Sequence, residues 1–287
     1  MSTALSTWLP WTDRAGRLSG LKLAFIIGLI APAVWMFLEW RLDWLSARPL
    51  TDLIRESGDW ALRILVASLA VTPLHFIARW NRLILVRRAT GLAALFYTLL
   101  HIALWCVDEN YVWATIFWEM MLRMFLTVGL VSTLILVALG VTSNDWGIRT
   151  LGSKGWNRLH AFTYAATALG VLHYFMESRL DVTEAVLLAG LFALAMAFRA
   201  VRKYLTPQFL PLACAAAICG FLTAGIEAFY YSISTRVSIS RVLSANLDFS
   251  YSIRPAWWVF AAGIAVAALA AVRAHFAPAT ARKRSSF

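Results

Sequence analysis

Charge is what this chain of 287 residues has least of. Asp, Glu, Lys and Arg make up 14% of it, against roughly 25% in a soluble globular domain. So little charge cannot cover a water-soluble globule of this size, which excludes one. Acidic residues are the scarcer sign, 15 against 26 Lys and Arg, for a formal net charge of +11. That excess does not describe a nucleic-acid-binding face, because the basic residues fall in short clusters between long apolar runs. Cysteine is scarce as well. Cys106, Cys214 and Cys219 lie inside apolar stretches, too few for a disulfide framework and without zinc-ligand spacing, and read as small hydrophobes. Ten-residue stretches of strict alternation, the mark of a membrane β-barrel, are missing too.

What is abundant is apolar length, with 61% of the residues hydrophobic. The runs Leu21 to Leu38, Trp60 to Ala78, Ala89 to Val107, Glu119 to Val141, Leu159 to Met176, Thr183 to Ala200, Phe209 to Ser232 and Trp257 to Val272 each approach the roughly 20 residues that cross a bilayer as a helix. The expectation is an all-α membrane protein, a bundle of about eight transmembrane helices, with the first run kept as a helix rather than cleaved as a signal. One set of loops holds about 17 Lys and Arg, among them Arg14, Arg17, Arg82, Arg87, Arg88, Arg158, Arg282, Lys283 and Arg284, and the other about 7, including Arg48, Arg179 and Arg254. The positive-inside rule then puts both termini in the cytoplasm. No loop is long enough for an appended soluble catalytic domain, so no catalytic residue is assigned.

Ionisable side chains at membrane depth are costly, which turns attention to the histidines. His101 is 13 residues beyond Arg88 and His173 is 15 beyond Arg158, so counting from these inner markers both lie roughly 20 Å deep on parallel helices. Two imidazoles at one level suit the two faces of a haem iron. Gly170 and the alanines Ala165, Ala166 and Ala168 would leave room for a flat macrocycle; they suit plain helix packing equally. His160 lies near the cytoplasmic surface, with His75 near the same level. The pair suggests a second, inner haem, and interfacial hydrogen bonding explains both as readily. The competing class is a transporter or structural protein whose histidines pack or handle protons, although no repeated halves support it. Arg82, Arg87, Arg88, Lys154 and Arg158 suit haem propionates or a flavin phosphate, or simply lipid headgroups. The tryptophans gather near span ends, as interfacial belts do. Glu227, roughly 27 Å along its helix, is expected near the outer interface and solvated.

Particular motifs carry a resemblance. Ala70 to Leu74, the run Arg87 to Leu92 with Gly91 ten residues before His101, the pair Thr142 and Ser143, Trp156-Asn157-Arg158-Leu159-His160, and His173-Tyr174 together resemble the ferric-reductase-like transmembrane domain. Within it they are most similar to the haem-binding membrane subunits, MsrQ, of periplasmic methionine sulfoxide reductase systems. The resemblance covers Gly58 to Tyr204. It implies a six-helix haem-binding core at 58–204, preceded by a helix and loop at 1–57 and followed at 205–287 by two further helices and a basic tail. It further implies a b-type haem, electron transfer from a cytoplasmic flavin reductase or a quinone, FMN as a candidate cofactor, and a periplasmic acceptor protein. His101, His160 and His173 match the family's haem-linked positions, while Arg87 stands where related oxidases carry an inner histidine. A reductase of ferric iron or another small oxidant is the alternative on the same fold. The implied place is a bacterial inner membrane.

Overall fold

The computed structural model describes residues 19–178, 180–250 and 252–276, and among these every regular element is helical. In chain order they are α1 (Gly20–Arg41), α2 (Pro49–Ile77), a 3-10 turn (Asn81–Val86), α3 (Arg87–Asp108), α4 (Trp113–Leu122), α5 (Met124–Val141), α6 (Asp145–His160), α7 (Thr163–Glu177), α8 (Thr183–Tyr204), α9 (Phe209–Ser234), α10 (Ile239–Ala245) and α11 (Pro255–His275). Seven of them are long and apolar enough to cross a membrane: α1, α2, α3 with its leading turn, α5, α8, α9 and α11. The protein is therefore an all-α, multi-pass membrane protein, as expected. Arg14, Arg17, Arg179, Arg282, Lys283 and Arg284, which entered the sidedness count, lie outside the described residues.

The fifth expected span, Leu159 to Met176, is built differently. The loop expected before it is itself a helix, α6, started by the Asn144 side chain accepting from the Gly147 amide at 2.7 Å. Gly152 breaks its regularity at φ 66°, ψ 164°, a conformation essentially reserved for glycine. Turn residues Ala161 and Phe162 then separate α6 from α7, which has 15 residues. His160 and His173 consequently stand on different helices, and the depth of His173 counts from Thr163 rather than from Arg158. The fourth expected span is also interrupted, at Arg123 (φ −91°, ψ 108°). Thr127 Oγ1 donates to Met120 O at 2.7 Å there, satisfying a carbonyl that the interruption leaves without its helical amide. At the other end of the chain's early part, α2 begins eleven residues before Trp60, with Pro49 in the first helical position, where no amide donor is needed.

The chain folds as two compact units. The first comprises residues 1–68 and 84–170. Here Tyr97 of α3 is fully buried, and its hydroxyl takes a hydrogen bond from Ala33 N (2.9 Å) and gives one to Leu29 O (2.8 Å). These are the two backbone groups that would bond each other in an uninterrupted helix, so the tyrosine inserts into α1 beside Pro32. Gly140 of α5 lets Leu95 of α3 approach closely, since a Cβ at that position would collide with the leucine side chain.

The second unit comprises residues 69–83 and 171–287. Its core joins Leu194 and Phe198 of α8, Leu212 and Ala216 of α9, and Val259 and Ala267 of α11. Small residues permit this contact: a Cβ on Gly190 would strike Thr223 and Val259, and one on Gly263 would strike Ala216. Two of the three described helices after Tyr204, α9 and α11, thus pack directly on α8. Glu227 corrects the expectation of a solvated carboxylate. It is 1% exposed, takes a hydrogen bond from Asn246 Nδ2 at 3.0 Å, and pairs with Arg254 at 3.4 Å. The connection between α9 and α11 folds back through α10 to supply both partners, which a count along α9 alone could not show.

Candidate functional site

His101 sits two turns from the C-terminal end of α3, and its ring is held by α2. Nδ1 is 2.8 Å from the carbonyl oxygen of Ile54. A carbonyl only accepts, so Nδ1 carries the proton and Nε2 of the neutral ring carries the lone pair. That is the tautomer a metal-ligating histidine adopts, with its second nitrogen tied to a backbone carbonyl. Ser57 Oγ donates to the same Ile54 oxygen at 2.9 Å. One helical turn beyond Ile54 stands Gly58, where a Cβ would lie 3.0 Å from His101 Nδ1 and 3.2 Å from Cε1. The carbonyl and the glycine form a notch shaped for an imidazole. Because Tyr97, one turn before His101, is locked into α1, the helix that carries the histidine is fixed on two sides.

The small residues near His173 divide in two. Ala166 is fully buried, its carbonyl oxygen accepting from Ser132 Oγ at 2.9 Å, and a Cβ on Gly170 would come 3.1 Å from Leu62. These two serve helix packing, whereas Ala165 and Ala168 are exposed.

His173 lies on the part of α7 that belongs to the second unit. It is half-buried, and the next two residues, Tyr174 and Phe175, pack against Val182, Ala185 and Val186, which fixes the helix rotation. In the same unit His75 closes α2. Its Nδ1 is 3.1 Å from the carbonyl of Trp80, so this ring too has Nε2 as the lone-pair nitrogen. Pro73 lacks the amide that would bond Leu69 O, and Arg199 of α8 donates to that oxygen at 2.5 Å. Arg202 lies over the Phe76 ring at 3.4 Å.

His160 is engaged otherwise. Its ring stacks on Trp156, with centroids 3.8 Å apart and planes 20° from parallel. Nε2 is 3.2 Å from Thr142 Oγ1, and that hydroxyl donates to Ala138 O at 2.8 Å, so Nε2 is the donor and Nδ1 holds the lone pair. Trp156 Nε1 closes the group by donating to Thr142 O at 2.9 Å. The motif Trp156 to His160 is therefore bound to the Thr142-Ser143 motif in one cluster, with Arg87 within electrostatic reach. Arg87 and Arg158 are themselves exposed. Sequence reasoning singled out the histidines and missed the notch that seats His101, because Ile54 and Gly58 precede the expected span Trp60 to Ala78 and only the structure places them on α2.

Residues 57–171 match the family described as ferric reductase like transmembrane component. That gives the class of this region, a ferric-reductase-like transmembrane component. The chain is 36% identical over 190 residues to the protein-methionine-sulfoxide reductase heme-binding subunit MsrQ of Rhodospirillum rubrum, covering 66% of this chain and 89% of that one. It is 36% identical over 205 residues to the same subunit of Brucella anthropi (71% and 91%) and 37% over 182 residues to that of Rhizobium meliloti (62% and 82%). The chain belongs to the MsrQ family. No solved structure matches it.

Proposed function

We propose that the chain is a haem-binding electron-transfer subunit of a methionine sulfoxide reductase system, with His101 and His173 as the residues that would hold one b-type haem. The observation that carries this reading is the Ile54 carbonyl and Gly58 notch, which holds the His101 ring with Nε2 as the donor nitrogen. A bound haem would supply a one-electron couple inside the bilayer. The chain's part is to fix the imidazole tautomer, restrict ring rotation, and keep the surroundings apolar. Electrons would enter from a cytoplasmic flavin reductase or a quinone and leave to a periplasmic protein. The protein would sit in the inner membrane with both termini cytoplasmic.

A second haem would fall to His75, whose Nε2 bears the lone pair, together with His160. Nε2 of His160 reaches a metal only by giving up Thr142. Arg87 and Arg158, exposed on the basic side, are the groups suited to a propionate or to the phosphate of FMN. In this reading residues 58–204 hold the cofactor, while α9 and α11 brace α8.

The test is spectroscopic. Purified protein should give a dithionite-reducible b-type spectrum, and His101→Ala and His173→Ala should each abolish or convert it. Unchanged haem content in both variants would remove the ligand assignment, and a colourless wild type with ample haem supply would remove the cofactor.

A further inference from the structure

Away from the histidines, the connection between α9 and α11 is built unlike an ordinary loop, because α10 has three distinct sides. Val242 and Asn246 are buried, while Ile239, Leu243 and Leu247, spaced i, i+4 and i+8, form an exposed apolar stripe. At 100° per residue Arg241 points about 160° from the centre of that stripe, and it too is exposed. Phe249 and Ile253 add exposed apolar side chains before α11 begins.

The level of α10 can be counted along two helices. Asn246 donates through Nδ2 to Glu227 at 3.0 Å, and its backbone oxygen accepts from Trp257 Nε1 at 2.7 Å. Glu227 lies about 27 Å along α9 from Phe209, and Trp257 about 24 Å along α11 from Arg273, the basic residue of its last turn. Both distances fall short of the roughly 30 Å of a hydrocarbon core, so Asn246 sits just inside the core's edge. The spanning helices expose Phe229, Ile233 and Trp258 around that level. The backbone of α10 suits such a place. Arg241 O takes a hydrogen bond from Ser244 Oγ, Val242 O from Asn246 Nδ2, Leu243 O from Asn246 N, Ser244 O from Leu247 N and Ala245 O from Asp248 N. With Trp257 on Asn246 O, each of these carbonyls has a donor within the protein. A helix end in water can leave them to solvent, whereas one against hydrocarbon cannot.

We propose that α10 is an interfacial helix seated in the bilayer: Ile239, Leu243 and Leu247 enter the acyl chains of the leaflet in which α9 ends, and Arg241 faces headgroups and water, as in amphipathic helices that lie in the membrane plane. Glu227, Asn246 and Arg254 then act as the clamp that holds this helix at its depth. This does not rest on the haem reading. The test uses the full chain in nanodiscs of phosphatidylethanolamine and phosphatidylglycerol, which contain no partner protein. A charged, membrane-impermeant maleimide should label Arg241→Cys, and should label Leu243→Cys and Leu247→Cys about tenfold more slowly, because the reactive thiolate forms in water. The native Cys106, Cys214 and Cys219 set the background, measured on the unsubstituted chain. In cell membranes, a benzophenone amino acid in place of Leu243 or Leu247 should give phospholipid adducts on irradiation, read as a mass shift of the intact chain. Equal labelling at all three positions, or adducts to another protein in place of lipid, overturns the proposal. The photocrosslink decides it even where a cysteine variant inserts poorly.

Discussion

At the scale of single residues the telling contact is a carbonyl oxygen and a missing methyl group. Ile54 O and Gly58 set the His101 ring, so Gly58→Ala should displace the imidazole without emptying the helix of apolar packing. Supporting groups of this kind change metal affinity about 10- to 100-fold. Haem retention on titration with a competing haem acceptor should fall by that order, while Ser57→Ala, which leaves the carbonyl in place, should stay nearer the wild type. Glu227 offers a second single-residue test. Removing its carboxylate as Glu227→Ala leaves the amide of Asn246 and the guanidinium of Arg254 without their acceptor, at a cost of about 1–3 kcal/mol. A lowered melting temperature in detergent, with haem content kept, is the expected result, and Glu227→Gln should lose less.

At the scale of elements, the apolar spans were legible because hydropathy over about 20 residues is a strong and local signal. Their interruptions were not. The separation of α6 from α7 depends on a stacking of Trp156 with His160 and on bonds to Thr142, fourteen or more residues away. The break at Arg123 is stabilised by Thr127 reaching Met120, and a hydropathy window averages across it. His101 was legible as a candidate by its depth. The notch that orients it comes from another helix, 43 to 47 positions earlier in the chain, and no local pattern announces it. Gly152 marks where a local rule does decide the element. Its positive φ is closed to side chains, so Gly152→Ala should cost about 1–3 kcal/mol or straighten α6. A pulse-labelling comparison of accessibility at residues 145–160 would show which, and an unchanged pattern with unchanged stability would count against the strained turn.

At the scale of the whole molecule, α8 belongs to two tasks, since it lies within the resemblance to the haem-binding core and also joins α9 and α11 in the core of the second unit. Truncation after Tyr204 would turn Leu194 and Phe198 toward lipid, whose tails are as apolar as the helices removed. The truncated chain should insert and keep the reduced-haem spectrum while melting at a lower temperature. Loss of haem from a stably inserted truncation would instead make the last two helices part of the cofactor site. The link between Pro73 and Arg199 bears on the order in which the protein comes to be made. α2 leaves the ribosome well before α8, and until Arg199 emerges the Leu69 carbonyl has neither its helical amide nor its guanidinium. An unsatisfied carbonyl in hydrocarbon is costly. Helix two is therefore synthesised with a debt, two turns before its end, that only a segment 130 residues later settles.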